Sequence, residues 1–239
     1  MHPARPGQQT RAPAVRSALP RRRAGLAVLA CLLLVGLLGW AVAAGSTPLL
    51  HLDRAVSEAL YAGDDRSRLA ETVLQVLTAP GLSAVRAVVF LPVLGWLVLR
   101  RAWWTAAWVA TATALVGPVN GLLKEFFDRQ RPQFSEGGAR YESLSFPSGH
   151  ASGIAALVTV ALVLAWPLLA LSARRGCVAA GVALALLVGA TRMWLGVHFL
   201  SDVVGGWAFG VGWTLLVVLA FGALPGGRAA LRPAANGQR

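Results

Sequence analysis

Charge is scarce in this chain. Only 13% of its 239 residues are Asp, Glu, Lys or Arg, where a soluble domain carries about 25%. With 56% of residues hydrophobic and a mean hydropathy of +0.61, most helices have no water-facing side. That excludes an ordinary soluble domain and implies a polytopic all-α membrane protein. Acids are fewer than bases, 10 against 22, for a net charge of +12. In a soluble protein such a balance suggests nucleic acid; in a membrane chain it reads as orientation, and no nucleic-acid partner is expected. There are two cysteines, Cys31 and Cys177, both in apolar runs without a CxxC or a nearby histidine. This excludes a disulfide framework and a cysteine metal site, leaving two small apolar residues. Lysine is rarest of all. Lys124 is the only one, in a chain that otherwise uses arginine.

What is present is organised as apolar runs between polar clusters. Residues 1–23, rich in Pro, Arg, Gln and Ala, cannot bury a core and are read as a disordered basic tail. The run 24–45 is long enough to cross about 30 Å of hydrocarbon. Its Arg cluster and small-residue end also resemble a signal peptide, but the run is long for that and further spans follow, so a retained first span fits better. Residues 46–80 have helical spacing with too many charges to span, and are expected to lie as an amphipathic segment at the surface. Further spans are expected at 81–99, 103–123, 151–171, 176–194 and 200–222. That makes six, over a domain of 24–222 followed by a tail, 223–239. Arg86, near the start of the second span, is expected to snorkel or pair rather than face lipid. Trp40, Trp96, Trp103, Trp104 and Trp194 fall near span ends, as an interfacial belt requires.

The segments 1–23, 100–102, 172–175 and 223–239 hold most of the basic residues and none of the ten acids. Positive charge collects on the cytoplasmic side. Both termini are therefore expected in the cytoplasm of a multi-pass plasma-membrane protein, with the alternate loops outside.

Three polar clusters fall on that outer side. The first is Lys124–x6–Arg131–Pro132. Residues seven apart share nearly one helical face, since two turns take about 7.2 residues, and Pro132 would stop the helix. Two cations aimed together suggest an anion, although for this cluster alone anchoring by snorkelling is the simpler account. The second is "SFPSGHAS", Ser145 to Ser152, at the start of the fourth span. Ser148 begins a helix well, Gly149 lets backbone N–H groups approach a ligand, and a helix N-terminus attracts anions. His150 belongs to its first turn; an ordinary cap explains this stretch equally well. The third is "TRMWLGVHFLSDVVGG", Thr191 to Gly206. Arg192 ends the fifth span, Gly196 allows a turn, and His198 and Asp202 lie four apart on one helical face. A carboxylate on one imidazole nitrogen fixes the tautomer and leaves the other as a nucleophile. A structural His–Asp pair would also account for these two, but it leaves Arg192 unexplained.

Together the three clusters outweigh their separate explanations. Three cations and a helix N-terminus converge on one face with two of the chain's four histidines and one aspartate. These parts suit phosphoryl transfer: donors for the equatorial oxygens, an oriented nucleophile and a second histidine for the leaving oxygen. No cofactor or metal is expected, because no second carboxylate or third histidine joins the cluster.

KEFFDRQRP, PSGH and R–x5–H–x3–D, in this order, resemble the three signature motifs of the type 2 phosphatidic acid phosphatases, the PAP2 superfamily, related by its helical core to vanadium haloperoxidases. The motifs run from Lys124 to Asp202, with Thr191 where the family usually has Ser before the arginine. The resemblance implies that His198 attacks phosphorus to form a phosphohistidine, supported by Asp202. Lys124, Arg131, Arg192, Ser148 and Gly149 would hold the phosphate oxygens, and His150 would protonate the leaving oxygen and then activate water. The implied activity is a metal-independent lipid phosphatase acting on a lipid phosphate or pyrophosphate whose tail stays in the bilayer. Polyprenyl (undecaprenyl) pyrophosphate is the preferred substrate. Phosphatidic acid, lysophosphatidic acid and phosphatidylglycerol phosphate are alternatives. The loop Gln133–Phe146, with Phe134, Tyr141 and Phe146, is expected to shape access. A vanadium haloperoxidase and a non-enzymatic lipid-binding or transport protein are the other classes considered. Oligomeric state is not read from the sequence.

Overall fold

The computed structural model describes residues 15–63, 65–134 and 143–231. Among these, besides two 3-10 turns at Ala79–Gly81 and Trp166–Leu168, the regular elements are eight α-helices: α1 (Val15–Ala43), α2 (Thr47–Leu60), α3 (Arg68–Thr78), α4 (Ser83–Leu99), α5 (Trp103–Phe127), α6 (Gly149–Ala165), α7 (Leu171–Trp194) and α8 (Leu200–Phe221). Five helices are long and apolar enough to cross a membrane: Pro20–Ala43, Trp103–Phe127, Gly149–Leu168, Leu171–Trp194 and Leu200–Phe221. The span expected at 81–99 does not qualify by itself. Ser83–Leu99 qualifies only together with Arg68–Gly81, to which it is joined at a 44° bend. The chain is thus an all-α, multi-pass membrane protein, with five spans among the described residues, or six with the bent pair.

α6 and α8 cross at the centre, with α1 and α5 against α8, α7 beside α6, and α4 on α5. Helices in lipid gain little from hiding apolar surface and associate through close packing of small residues. Gly206 and Gly210 of α8 supply that contact. A Cβ at Gly206 would lie 2.6 Å from the Ser148 carbonyl oxygen, and one at Gly210 would lie 2.4 Å from that of Ser152. Phe146 is fully buried beneath this crossing, edge-on to Phe127 at 5.1 Å. It therefore belongs to the core rather than to the access loop. Phe134 stacks on Tyr61 at 3.9 Å, and Tyr141 lies outside the described residues.

Three boundaries differ from expectation. Residues 15–23 belong to α1 instead of a disordered tail, because alanine and arginine favour helix and propagation from the span costs little; residues 1–14 lie outside the described residues. At the other end the chain folds back after α8. The buried Ala229 carbonyl accepts bonds from Thr105 Oγ1 (3.0 Å) and Trp108 Nε1 (3.1 Å), so residues 223–231 are packed against α5 while 232–239 lie outside the described residues. The segment 46–80 is not simply a surface layer. α2 buries Asp53 and Ser57, and α2 packs against the start of α8 through the bonds that Asp53 makes to Ser201.

Candidate active site

The site forms where the starts of α6 and α8 meet the ends of α5 and α7. Asp202, fully buried, is the third residue of α8, and its Oδ2 accepts the Phe199 N–H at 2.8 Å, capping the helix. This cap starts α8 at Leu200, so His198 precedes the helix and does not share its face as the four-residue spacing predicted. The pair forms nonetheless. His198 Nδ1 lies 3.5 Å from Asp202 Oδ2 and 3.3 Å from Ser145 Oγ, which itself donates to Asp202. His198 Nε2 is 3.3 Å from Arg131 Nη1. One ring nitrogen is thus committed to the carboxylate side and the other is turned toward a cation. Gly196 supplies the turn that brings His198 here, at φ +68°, and a Cβ on it would meet Tyr61 and Phe134. Burial pushes the His198 imidazole down to about 3, with Asp202 opposing and Arg131 and Arg192 adding to the shift.

Lys124 and Arg131 reach the site by a route other than a shared helical face. α5 ends at Phe127 because Asp128 adopts a left-handed conformation, φ +46°, with its N–H on the Lys124 carbonyl at 2.9 Å. Arg131 therefore lies beyond the helix. Its guanidinium donates to the Ser143 carbonyl (2.6 Å), Ser143 Oγ (2.9 Å) and the Val197 carbonyl (2.8 Å). Lys124 Nζ, half-buried, donates to the Leu144 carbonyl. Both residues thus brace the chain leading into α6 as well as facing its start.

Ser148 is the N-cap of α6: its Oγ accepts from Ala151 N at 3.5 Å, and its own N–H donates to the Asp202 carbonyl at 2.9 Å. It is fully buried, so it joins the two helix starts rather than presenting an open hydroxyl. Gly149 and His150 open the helix, where N–H groups have no intrahelical acceptor. Arg192, in the last turn of α7, is buried with Nη1 3.4 Å from Thr78 Oγ1. Lys124, Gly149 and His150 line one cavity, while Arg131, Ser145 and Asp202 lie against the His198 ring.

Two charged residues missed by the spacing arguments hold this arrangement together. Buried Arg129 donates to Asp202 Oδ1 (2.6 Å), Ser201 Oγ (2.7 Å) and Asp53 Oδ2 (2.6 Å), with Phe199 under its face at 4.2 Å. Asp53 in turn accepts from Ser201 N (2.9 Å) and Ser201 Oγ (2.5 Å). A second carboxylate does therefore approach the cluster, but through an arginine. Asn120, which bonds Ser152 Oγ at 2.9 Å, also escaped notice. Among the described residues, no three His, Cys, Asp or Glu side chains gather as a metal site.

The PAP2 superfamily model matches residues 92–224, more than half of the chain and all three motifs. This chain belongs to the PAP2 superfamily. The PAP2 chain is 41% identical over 96 residues to phosphatidylglycerophosphatase B of Bacillus subtilis, covering 39% of this chain and 46% of that one. It is 33% identical over 129 residues to lipid A 1-phosphatase of Rhizobium etli, covering 49% and 51%. The PAP2 chain thus spans about half the length of the curated relatives it matches. Its fold matches the crystal structure of a transmembrane PAP2-type phosphatidylglycerolphosphate phosphatase from Bacillus subtilis, with a TM-score of 0.68 and 27% identity over 80% of this chain and 93% of that one.

Proposed function

We propose that this chain is a membrane phosphatase that removes a terminal phosphate from a lipid through a phosphohistidine on His198. The observation that carries the reading is the polarity of that ring: Nδ1 beside Asp202 and Ser145, Nε2 beside Arg131. A buried neutral imidazole held in this way is a nucleophile aimed into a cationic pocket. In the first half-reaction Nε2 bonds to phosphorus, the bond to the lipid oxygen breaks, and His150 gives that oxygen a proton. In the second, water attacks phosphorus, His150 takes its proton, and the P–N bond breaks to release phosphate and neutral His198. Lys124, Arg131, Arg192 and the Gly149 N–H balance the equatorial oxygens, where preorganised charge contributes most. Ser148 acts by joining the starts of α6 and α8. No metal takes part in this scheme.

Phosphatidylglycerol phosphate is the substrate favoured here over the polyprenyl pyrophosphate preferred from sequence. A relative and a solved structure similar to this chain carry that substrate in their names, and none of the relatives described above is named for a prenyl lipid. The distribution of basic residues orients the site outward, with both termini in the cytoplasm. Phosphate release from phosphatidylglycerol phosphate, phosphatidic acid and polyprenyl pyrophosphate in detergent micelles tests the reading. The first should be turned over fastest, with EDTA harmless and vanadate inhibitory. Release from none of the three, or strong loss in EDTA, would sink it.

A further inference from the structure

Arg86 lies outside the three motifs and outside the matched segment, yet it is 5% exposed inside a membrane-spanning bundle. Two of its nitrogens are partnered: Nη1 donates to the Gly81 carbonyl at 3.2 Å and Nη2 to Ser83 Oγ at 2.9 Å. Its Nε is buried without a hydrogen-bond partner. Leaving a guanidinium N–H unsatisfied in this setting is costly unless something anionic comes to it. The seat is built for the group. A Cβ at Gly153 would lie 2.2 Å from Nη1, and one at Gly81 would collide with the His150 backbone at 2.8 Å.

Arg86 stands between two cavities. One, of about 310 Å³, is lined by Lys124, His150 and Asn120. The other, of about 370 Å³, is an apolar groove between α4 and α5 lined by Phe90, Leu91, Leu94, Ala110 and Ala114. Ser83, Arg86 and Gly117 line both. Arg86 thus borders both the cavity that holds Lys124 and His150 and the apolar groove.

Resting on the proposed phosphatase reading, we infer that Arg86 binds a second anionic group on the substrate, the one that stays with the lipid after cleavage, and that the adjoining acyl chain lies in the α4–α5 groove. The substrate class is then a lipid whose terminal phosphomonoester is separated from the tail by a phosphodiester. A lipid with its monoester directly on the diacylglycerol has nothing to offer Arg86.

Binding of phosphatidylglycerol and of diacylglycerol with identical chains, measured on the detergent-solubilised full chain, tests this without any chemistry. The parent protein should prefer phosphatidylglycerol by about tenfold or more, the scale of one charge-assisted hydrogen-bond pair, and Arg86→Gln should lose most of that preference. Arg86→Lys, which keeps the charge and provides a folded control, should fall between. In turnover, the kcat/KM ratio of phosphatidylglycerol phosphate to phosphatidic acid should drop in Arg86→Gln by the same factor. No preference in the parent, or a preference unchanged in both variants, overturns the anion subsite; equal loss on both substrates marks Arg86 as only a tie for the bend at Gly81. Ala114→Phe should weaken long-chain relative to short-chain lipids, and an unchanged ratio removes the tail from the groove. If no lipid releases phosphate while the binding preference holds, the phosphatase reading fails and the anion subsite stands.

Discussion

The two ends of this bundle use arginine in opposite ways. At the site end, Arg129 is buried and its guanidinium is divided between two carboxylates at 2.6 Å. At the other end, Arg100 and Arg228 are exposed and lie over the rings of Trp96 and Trp104, at 5.4 and 4.5 Å. A charge withdrawn from water is tolerated only when ion partners and hydrogen bonds satisfy it, and removing one partner exposes the full penalty. A charge over an indole at the interface keeps its hydration and anchors the span end. The same residue type thus sets a fixed geometry at one end and a soft boundary at the other.

Substitutions should separate the two ends sharply. The largest effect is expected for His198→Ala, with phosphate release falling by about a thousandfold or more, because the proposed nucleophile is gone. The same ring makes a pH prediction. Its folded pKa lies below the ordinary 6.5, so it remains neutral and reactive as pH falls through 6.5. The trapped phosphoprotein should therefore form at pH 5.5 as readily as at pH 7.5, a comparison chosen to lie on either side of the usual imidazole pKa of about 6.5. The folded state also binds fewer protons than the unfolded one below pH 6.5, so this ring's contribution to stability is lost as pH drops from there toward about 3.

Next comes Asp53→Ala, which leaves Arg129 with one carboxylate; about 3 kcal/mol of stability should be lost, read from denaturant unfolding in detergent. A loss under about 1 kcal/mol would mean that Asp202 alone satisfies Arg129, and the contrast between the ends would weaken. Lys124→Arg is expected to slow turnover by about tenfold, since a planar fork replaces a compact ammonium held at the Leu144 carbonyl. Arg228→Ala should be smallest, about 0.5–1 kcal/mol in stability with turnover unaffected. A large catalytic loss there would show that the far end is not the soft boundary described.

The sequence made one part of this legible. In a chain so poor in polar groups, Lys124, Arg131, His150, Arg192, His198 and Asp202 stood out, and the three motifs identified the family and its helical membrane fold. The manner of convergence was not legible. Seven-residue spacing put Arg131 on the α5 face, but a left-handed Asp128 ends the helix before it, and nothing in the pattern marks an aspartate for that conformation. Four-residue spacing likewise put His198 on α8, whereas the Asp202 cap starts the helix later. Arg129 was hidden among the unspecified positions of a motif, and its partner Asp53 lies 76 residues away in a stretch read as surface. The only local signal was Asp53 and Ser57 one turn apart on the polar side of an amphipathic helix. Pairings of that range are made by packing, which periodicity does not record.

The Asp53–Arg129 pair has a consequence for how the chain can be divided. The family segment begins at residue 92, so a protein trimmed to it would retain all three motifs and lose the counter-ion of a buried arginine. It would lose Arg86 as well. The first helices are thus ballast in no sense: they hold one half of an electrical couple whose other half is bolted to Asp202, and a minimal version of this protein has to start upstream of Asp53.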